Sequence, residues 1–210
     1  MQRLVYLLSF PFLWLLSRIP FSLLYIFSDV VCFLVYHVIR YRRSTVRYNL
    51  KLVFPEKDKK ELKSIERKAY THMCDMFLEM GKSISISKKE LKKRFAFTNI
   101  EEIKKLLDAG KSVIMLNGHY ASYEWANALQ FYDLDFKGYA VYKKLKNKYF
   151  DRLAHRIRGR FGAELIRSTQ ATKKIASNER QGIRGIYAFI ADQSPRLDRA
   201  WYWTKFMDVK

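Results

Sequence analysis

The chain opens on two apolar runs, residues 4–16 (LVYLLSFPFLWLL) and residues 21–39 (FSLLYIFSDVVCFLVYHVI), separated by Ser17-Arg18-Ile19-Pro20. The second run holds 19 residues and one acid, close to the ~20 needed to cross a bilayer; the first is too short alone. One span preceded by an interfacial segment is the simplest arrangement. A buried helix pair with Asp29 and His37 facing protein is the alternative. Beyond residue 40 the pattern becomes helical: Leu62, Ile65, Ala69, Met73, Met76, Phe77 and Met80 recur at spacings of three and four, predicting a helix within 57–87. Pro55 and the acids near it suit its entry and Gly81 its stop, and a second helix is predicted over 100–107.

The period then changes. Residues 112–116 (SVIML) form a short continuous apolar run, as a buried strand does. Strands are also predicted over 136–142, 163–167 and 185–191, and helices over 121–132, 147–161 and 169–178. Strands alternating with helices imply an α/β fold with a mainly parallel sheet flanked by helices, behind an N-terminal transmembrane helix.

Composition narrows the classes. Of 210 residues, 49% are hydrophobic and 29% charged, with only 8 Gly and 4 Pro, which excludes a disordered or collagen-like chain. Cys32 and Cys74 are too few for a disulfide framework or a cysteine-based zinc site, and fit a reducing compartment. The net charge of +20 is unevenly placed: residues 1–39 carry only Arg3, Arg18 and Asp29, while residues 40–210 carry 38 Lys+Arg against 19 Asp+Glu. Residues 1–39 therefore read as a membrane anchor and 40–210 as a basic domain attached to it. Arg40, Arg42, Arg43 and Arg47 follow the span at once, which places that domain on the cytoplasmic side. A cleaved signal peptide fits badly, because no polar small-residue cleavage region precedes the basic stretch.

Candidate chemistry concentrates in VIMLNGHYASYEW, residues 113–125. The strand ends at Asn117-Gly118, His119 follows in the turn, and Glu124 lies one turn into the next helix. Ligands of open α/β sheets bind beyond the carboxyl ends of strands. There Glu124 can hold one imidazole nitrogen of His119 and leave the other to act as a base. The plainer alternative is a turn histidine capping the helix, with Glu124 near its positive end. Asp192-Gln193 likewise follows a strand, where a site role competes with ordinary turn chemistry. Tyr120, Tyr123 and Trp125 are candidates to line a groove beside this turn or to pack in the core, and Trp125 suits the core best.

These residues resemble the bacterial lipid A biosynthesis (late) acyltransferases, relatives of the glycerolipid acyltransferases, which use a His followed by an acid after four intervening residues. The likeness runs through Arg47-Tyr48-Asn49-Leu50, Phe54-Pro55-Glu56, Phe77-Leu78-Glu79-Met80, Asn117-Gly118-His119, Glu124-Trp125, Tyr142, Asn147, Arg158, Arg160, Gly162, Asp192-Gln193 and Pro195-Arg196. Tyr120-Ala121-Ser122-Tyr123 departs from the family's aromatic, small residue, Asn and Trp. Family members usually continue well past Phe206-Met207, so the chain resembles roughly their first two-thirds and is expected to lack the C-terminal portion.

The resemblance implies an O-acyltransferase of the bacterial inner membrane. It would move a fatty acyl chain from an acyl carrier protein thioester to a hydroxyl of a lipid A precursor, with His119 as general base oriented by Glu124. Arg158 becomes a candidate for the thioester oxyanion or a phosphate. Arg160, Asp192, Gln193, Asn117 and Tyr120 become candidate substrate-binding residues. No metal or organic cofactor is expected. The partners implied are acyl carrier protein, anionic membrane lipids and the lipid A precursor. A lysophospholipid or aminoacyl lipid acceptor is the alternative within the fold. The charge also suits a non-catalytic lipid-binding or nucleic-acid-binding protein, but no nucleic-acid-binding signature is present, and a membrane anchor assigns the charge to anionic headgroups.

Overall fold

A computed structural model of the chain describes residues 1–132, 134–193, 200 and 202–205. These fall into two compact units, one from Met1–Arg18 with Met80–Asp192, the other from Ile19–Glu79 with Gln193–Lys210. Pro195, Arg196, Phe206 and Met207 lie outside the described residues.

The first unit contains the predicted parallel sheet. Its strands, β1 (Val113–Asn117), β2 (Lys137–Tyr142), β3 (Glu164–Arg167) and β4 (Gly185–Ile190), lie in the order β1-β4-β2-β3, every pair parallel. The alternation expected from sequence is present, with boundaries moved by a residue or so. Tyr139 and Tyr187 stack across neighbouring central strands with centroids 4.7 Å apart, and Ile166 and Ala171 complete this buried core. The Tyr187 hydroxyl, fully enclosed, accepts a hydrogen bond from Asn178 Nδ2 at 2.8 Å, so burial leaves its oxygen partnered. Gly185 admits the close approach of β2, since a Cβ there would meet the Lys137 carbonyl oxygen at 2.6 Å.

Ahead of the sheet this unit holds α5 (Lys88–Arg94), absent from the sequence expectation, and α6 (Ile100–Asp108), expected over 100–107. Two further features differ from that expectation. The run 112–116 reads as buried, but β1 is an edge strand, and alternate side chains Ile114 and Leu116 are 59% and 70% exposed. Residues 121–132 read as an α-helix, whereas Tyr123–Phe131 is a 3₁₀-helix. Trp125, Ala128, Leu129 and Phe131 are buried on it, and three of them, Trp125, Ala128 and Phe131, recur at the spacing of three by which a 3₁₀-helix stacks side chains on one face.

Helices α1 (Gln2–Arg18) and α7 (Lys148–Gly159) pack through Tyr6, whose ring lies 5.7 Å from Tyr149 and 5.5 Å from Phe150. Asn147 opens α7 by accepting the Tyr149 N–H at 3.0 Å, satisfying a donor the helix itself leaves unpaired. At the other end of α1, Lys82 Nζ and Ser85 Oγ both donate to the Ser17 carbonyl at 2.7 Å. Leu4, Leu7, Leu8, Phe12 and Leu15 of α1 remain exposed.

The second unit is helical. Helix α2 (Phe21–Phe33) continues as a π-helix, Leu34–Ile39, giving a largely apolar stretch of 19 residues, 17% buried; it is a candidate membrane span by length and composition. Left-handed Arg40 and Arg42 turn the chain into α3 (Arg43–Val53), a helix absent from the sequence expectation. Asp58 and Glu61 start α4 (Lys59–Lys82) by a reciprocal cap: Asp58 Oδ1 accepts the Glu61 N–H at 2.8 Å, and Glu61 Oε2 accepts the Asp58 N–H at 3.1 Å. Tyr25 donates to Glu79 Oε1 at 2.6 Å, tying α2 to α4. Glu66, buried on α4, accepts from Arg47 Nε at 3.0 Å and from Arg43 Nε at 3.4 Å, so a carboxylate that would be costly alone is paired twice.

Candidate active site

β1 and β4 are neighbours running the same way, with Asn117 opposite Ile190, and the Ala191 N–H donates to the Asn117 carbonyl at 2.9 Å. The two strands therefore release their chains side by side. His119 stands two residues past the end of β1 and Asp192 two past the end of β4, so the ladder that pairs the strands also brings these side chains together. The His119 backbone N–H donates to Asp192 Oδ2 at 2.7 Å, and His119 Nδ1 lies 2.7 Å from Asp192 Oδ1. One carboxylate holds both the backbone and the ring of the histidine. Facing a carboxylate, Nδ1 carries the ring proton, which leaves the Nε2 lone pair as the basic site. Nε2 makes no hydrogen bond among the described residues.

Donation by the His119 backbone N–H, and then by its ring, holds the Asp192 carboxyl below its usual range. The contact therefore contributes fully above the ordinary aspartate pKa and is lost only as pH falls through the lowered value. The pair is intact at neutral pH.

Gly118 makes the approach possible, because a Cβ there would lie 3.2 Å from Asp192 Oδ2. Gly118→Ala should push the carboxylate back by a few tenths of an ångström, misaim the ring, and lower kcat about tenfold in a folded protein. A steady-state assay beside a thermal melt checks this, and an unchanged kcat would count against the contact.

Here the sequence expectation is corrected. It gave Glu124 the imidazole; the structure gives that contact to Asp192, and Glu124 to Arg158. Glu124 lies on the 3₁₀-helix with its side chain 11% exposed and faces α7, where Arg158 Nε donates to Oε2 at 2.7 Å and Nη2 to Oε1. Burial pulls the Arg158 pKa down, but the Glu124 bonds and charge outweigh it, and the net direction is up. The guanidinium stays charged. Its bidentate pairing uses one edge and leaves Nη1 without a hydrogen bond among the described residues.

Tyr123, which sequence reasoning left between groove and core, joins the two pairs. Its ring meets His119 edge-on with centroids 4.8 Å apart, and burial first, then the Glu124 charge, raises its hydroxyl pKa, with Arg158 and Asp192 also acting on it. The hydroxyl therefore stays protonated beside the histidine. Its spacing from His119 across the turn was the available signal.

Asn117 ends β1 and has its Nδ2 buried with no partner among the described residues. Tyr120 is 83% exposed beside His119 in sequence. Arg160 donates to the carbonyls of Ser83 and Ile84 from Nη1 and of Ile86 from Nη2, at 2.9–3.0 Å. Its guanidinium is thus spent on the backbone after α4, and a substrate role is not what the geometry favours. Gln193 is exposed and follows Asp192 in the chain.

Together these features supply a base with an open nitrogen, a fixed cation and an ionised carboxylate at the carboxyl edge of a parallel sheet. No curated protein matches the chain. The family model of bacterial lipid A biosynthesis acyltransferases matches residues 1–198, so nearly the whole chain, including both side-chain pairs, falls within it. The chain belongs to the bacterial lipid A biosynthesis acyltransferase family.

Proposed function

We propose that this acyltransferase moves a fatty acyl chain from an acyl carrier protein thioester to a hydroxyl of a lipid A precursor at the cytoplasmic face of the bacterial inner membrane. The observation that carries the chemistry is His119, held through Nδ1 by Asp192 with Nε2 open. A hydroxyl is a poor nucleophile until its proton is removed. Nε2 takes that proton as the hydroxyl oxygen attacks the thioester carbonyl carbon. Asp192 stabilises the imidazolium that results. The carbonyl oxygen becomes negative, and Arg158, clamped by Glu124 so that Nη1 is left to donate, is the group we assign to that charge. When the tetrahedral intermediate collapses, the C–S bond breaks, and the proton held by His119 passes to the departing sulfur. Ester and free carrier thiol are the products, and no step needs a metal or organic cofactor.

Asp192 is a positioning residue in this scheme, which replaces the His–Glu pairing suggested by spacing. Asn117 and Tyr120 flank His119 at the strand end and are candidates to contact the substrates, with Tyr120 and the exposed Leu116 offering apolar surface to an acyl chain. The membrane placement rests on Phe21–Ile39, on the arginines that follow it, and on the exposed apolar face of α1, which suits an interfacial segment. Transfer from acyl carrier protein to a lipid A precursor by the purified full chain tests the reading: a labelled acyl chain should appear in ester linkage on the glycolipid, and transfer only to a lysophospholipid would overturn the acceptor.

A further inference from the structure

The helical unit contains a cleft of about 280 Å³ lined by Arg47, Leu50, Lys51, Lys59, Leu62, Lys63 and Glu66. Leu50 and Leu62 are half-buried in it, and the cations stand at its rim. Glu66 is the one acid of the lining, and its carboxylate is already occupied by Arg43 and Arg47. Lys51, Lys59 and Lys63 make no ion pair or hydrogen bond among the described residues, so three ammonium groups converge on an apolar floor with their charge unspent. Two of the lining residues, Arg47 and Leu50, belong to the Arg47-Tyr48-Asn49-Leu50 motif, which the acyl-transfer chemistry does not use.

We propose that this cleft binds the headgroup phosphate of one anionic membrane phospholipid, with the start of an acyl chain against Leu50 and Leu62. The partner is a lipid rather than a soluble anion because α3 begins four residues after the apolar run Phe21–Ile39, within the same unit. A juxtamembrane cluster of this kind sits where anionic headgroups are most concentrated, and the leucine floor adds apolar contact that a free ion does not exploit. The cleft is built within the helical unit from residues the acyl-transfer scheme does not use, and would anchor the protein whatever acceptor it acylates. The inference rests on the membrane placement, not on the acyl-transfer scheme.

The test uses the full chain in mixed micelles of phosphatidylglycerol and phosphatidylcholine, with retained lipid counted by native mass spectrometry. The protein should keep one phosphatidylglycerol in preference to phosphatidylcholine. The triple variant Lys51→Ala, Lys59→Ala, Lys63→Ala should lose that preference by at least about tenfold. A control that removes the same charge from exposed positions of the other unit, Lys104→Ala, Lys111→Ala, Lys173→Ala, should keep it. Inorganic phosphate should displace the lipid poorly. Equal loss in both triple variants would reduce the site to diffuse charge and overturn the proposal, as would displacement by inorganic phosphate, or acyl carrier protein rather than lipid held through the three lysines. Insertion of both variants into nanodiscs, read separately, reports on the membrane placement, and acyl transfer by the wild type reports on the chemistry.

Discussion

His119→Ala should lower acyl transfer by about a thousandfold, within the range lost when a positioned general base is removed. The ring has 34% of its side chain exposed and lies outside the aromatic core, so the variant should fold and melt near the parent temperature. That separation matters, because a base whose removal unfolds the protein proves nothing about chemistry. Asp192→Asn should follow with a smaller loss, about ten- to a hundredfold, because the amide keeps the shape but no longer fixes the ring proton on Nδ1. Steady-state rates of the two variants, each beside a melting curve, check both. A His119→Ala enzyme with parental rate would remove the base from the scheme.

Breaking the Glu124–Arg158 pair should cost both fold and rate. Glu124 is 11% and Arg158 25% exposed, so Glu124→Gln leaves a largely buried guanidinium without its counter-charge. Removing one member of such a pair costs about 3–5 kcal/mol, a fall of about 10 °C in melting temperature for a chain of this size. Replacing both, Glu124→Leu with Arg158→Met, should recover much of that stability, since no lone charge remains. It should not recover activity. Melting curves and rates across this double-mutant cycle separate packing from chemistry: stability returning without turnover is expected, while turnover returning with stability would make the pair purely structural.

The local pattern carried much of the fold. Alternating short apolar runs and helical periods foretold the strands and most helices, because strand and helix sidedness repeat at 2 and 3.6 residues and are written in the chain. Helix α3 carries the same signal, with Val46, Leu50 and Val53 at spacings of four and three, but its stripe is short and follows the apolar span at once, so it does not stand out as a separate element. The exposure of Ile114 and Leu116 was not legible either, since an apolar run does not say whether its strand is central or at the edge.

At the candidate active site the residue types were legible and their pairing was not. Spacing could propose only a partner close in sequence, and Glu124 was the nearest acid. The actual partner of His119 is 73 residues away and is delivered by the β1–β4 ladder, a non-local choice that periodicity does not encode. Once that pairing is known, the equal offset of His119 and Asp192 from their strand ends makes the contact expected. Arg160 shows the same limit from the other side: a basic residue suited to an anion is committed to three carbonyls that only the folded chain gathers.

The most direct test of the central claim follows a single turnover of the purified full chain with labelled acyl carrier protein thioester and a lipid A precursor, read by mass spectrometry of the glycolipid and titration of the released thiol. The wild type should add one acyl chain to the acceptor for each thiol freed, and His119→Ala should do neither. Undiminished ester formation in His119→Ala, or thiol release with the glycolipid unchanged, would contradict it.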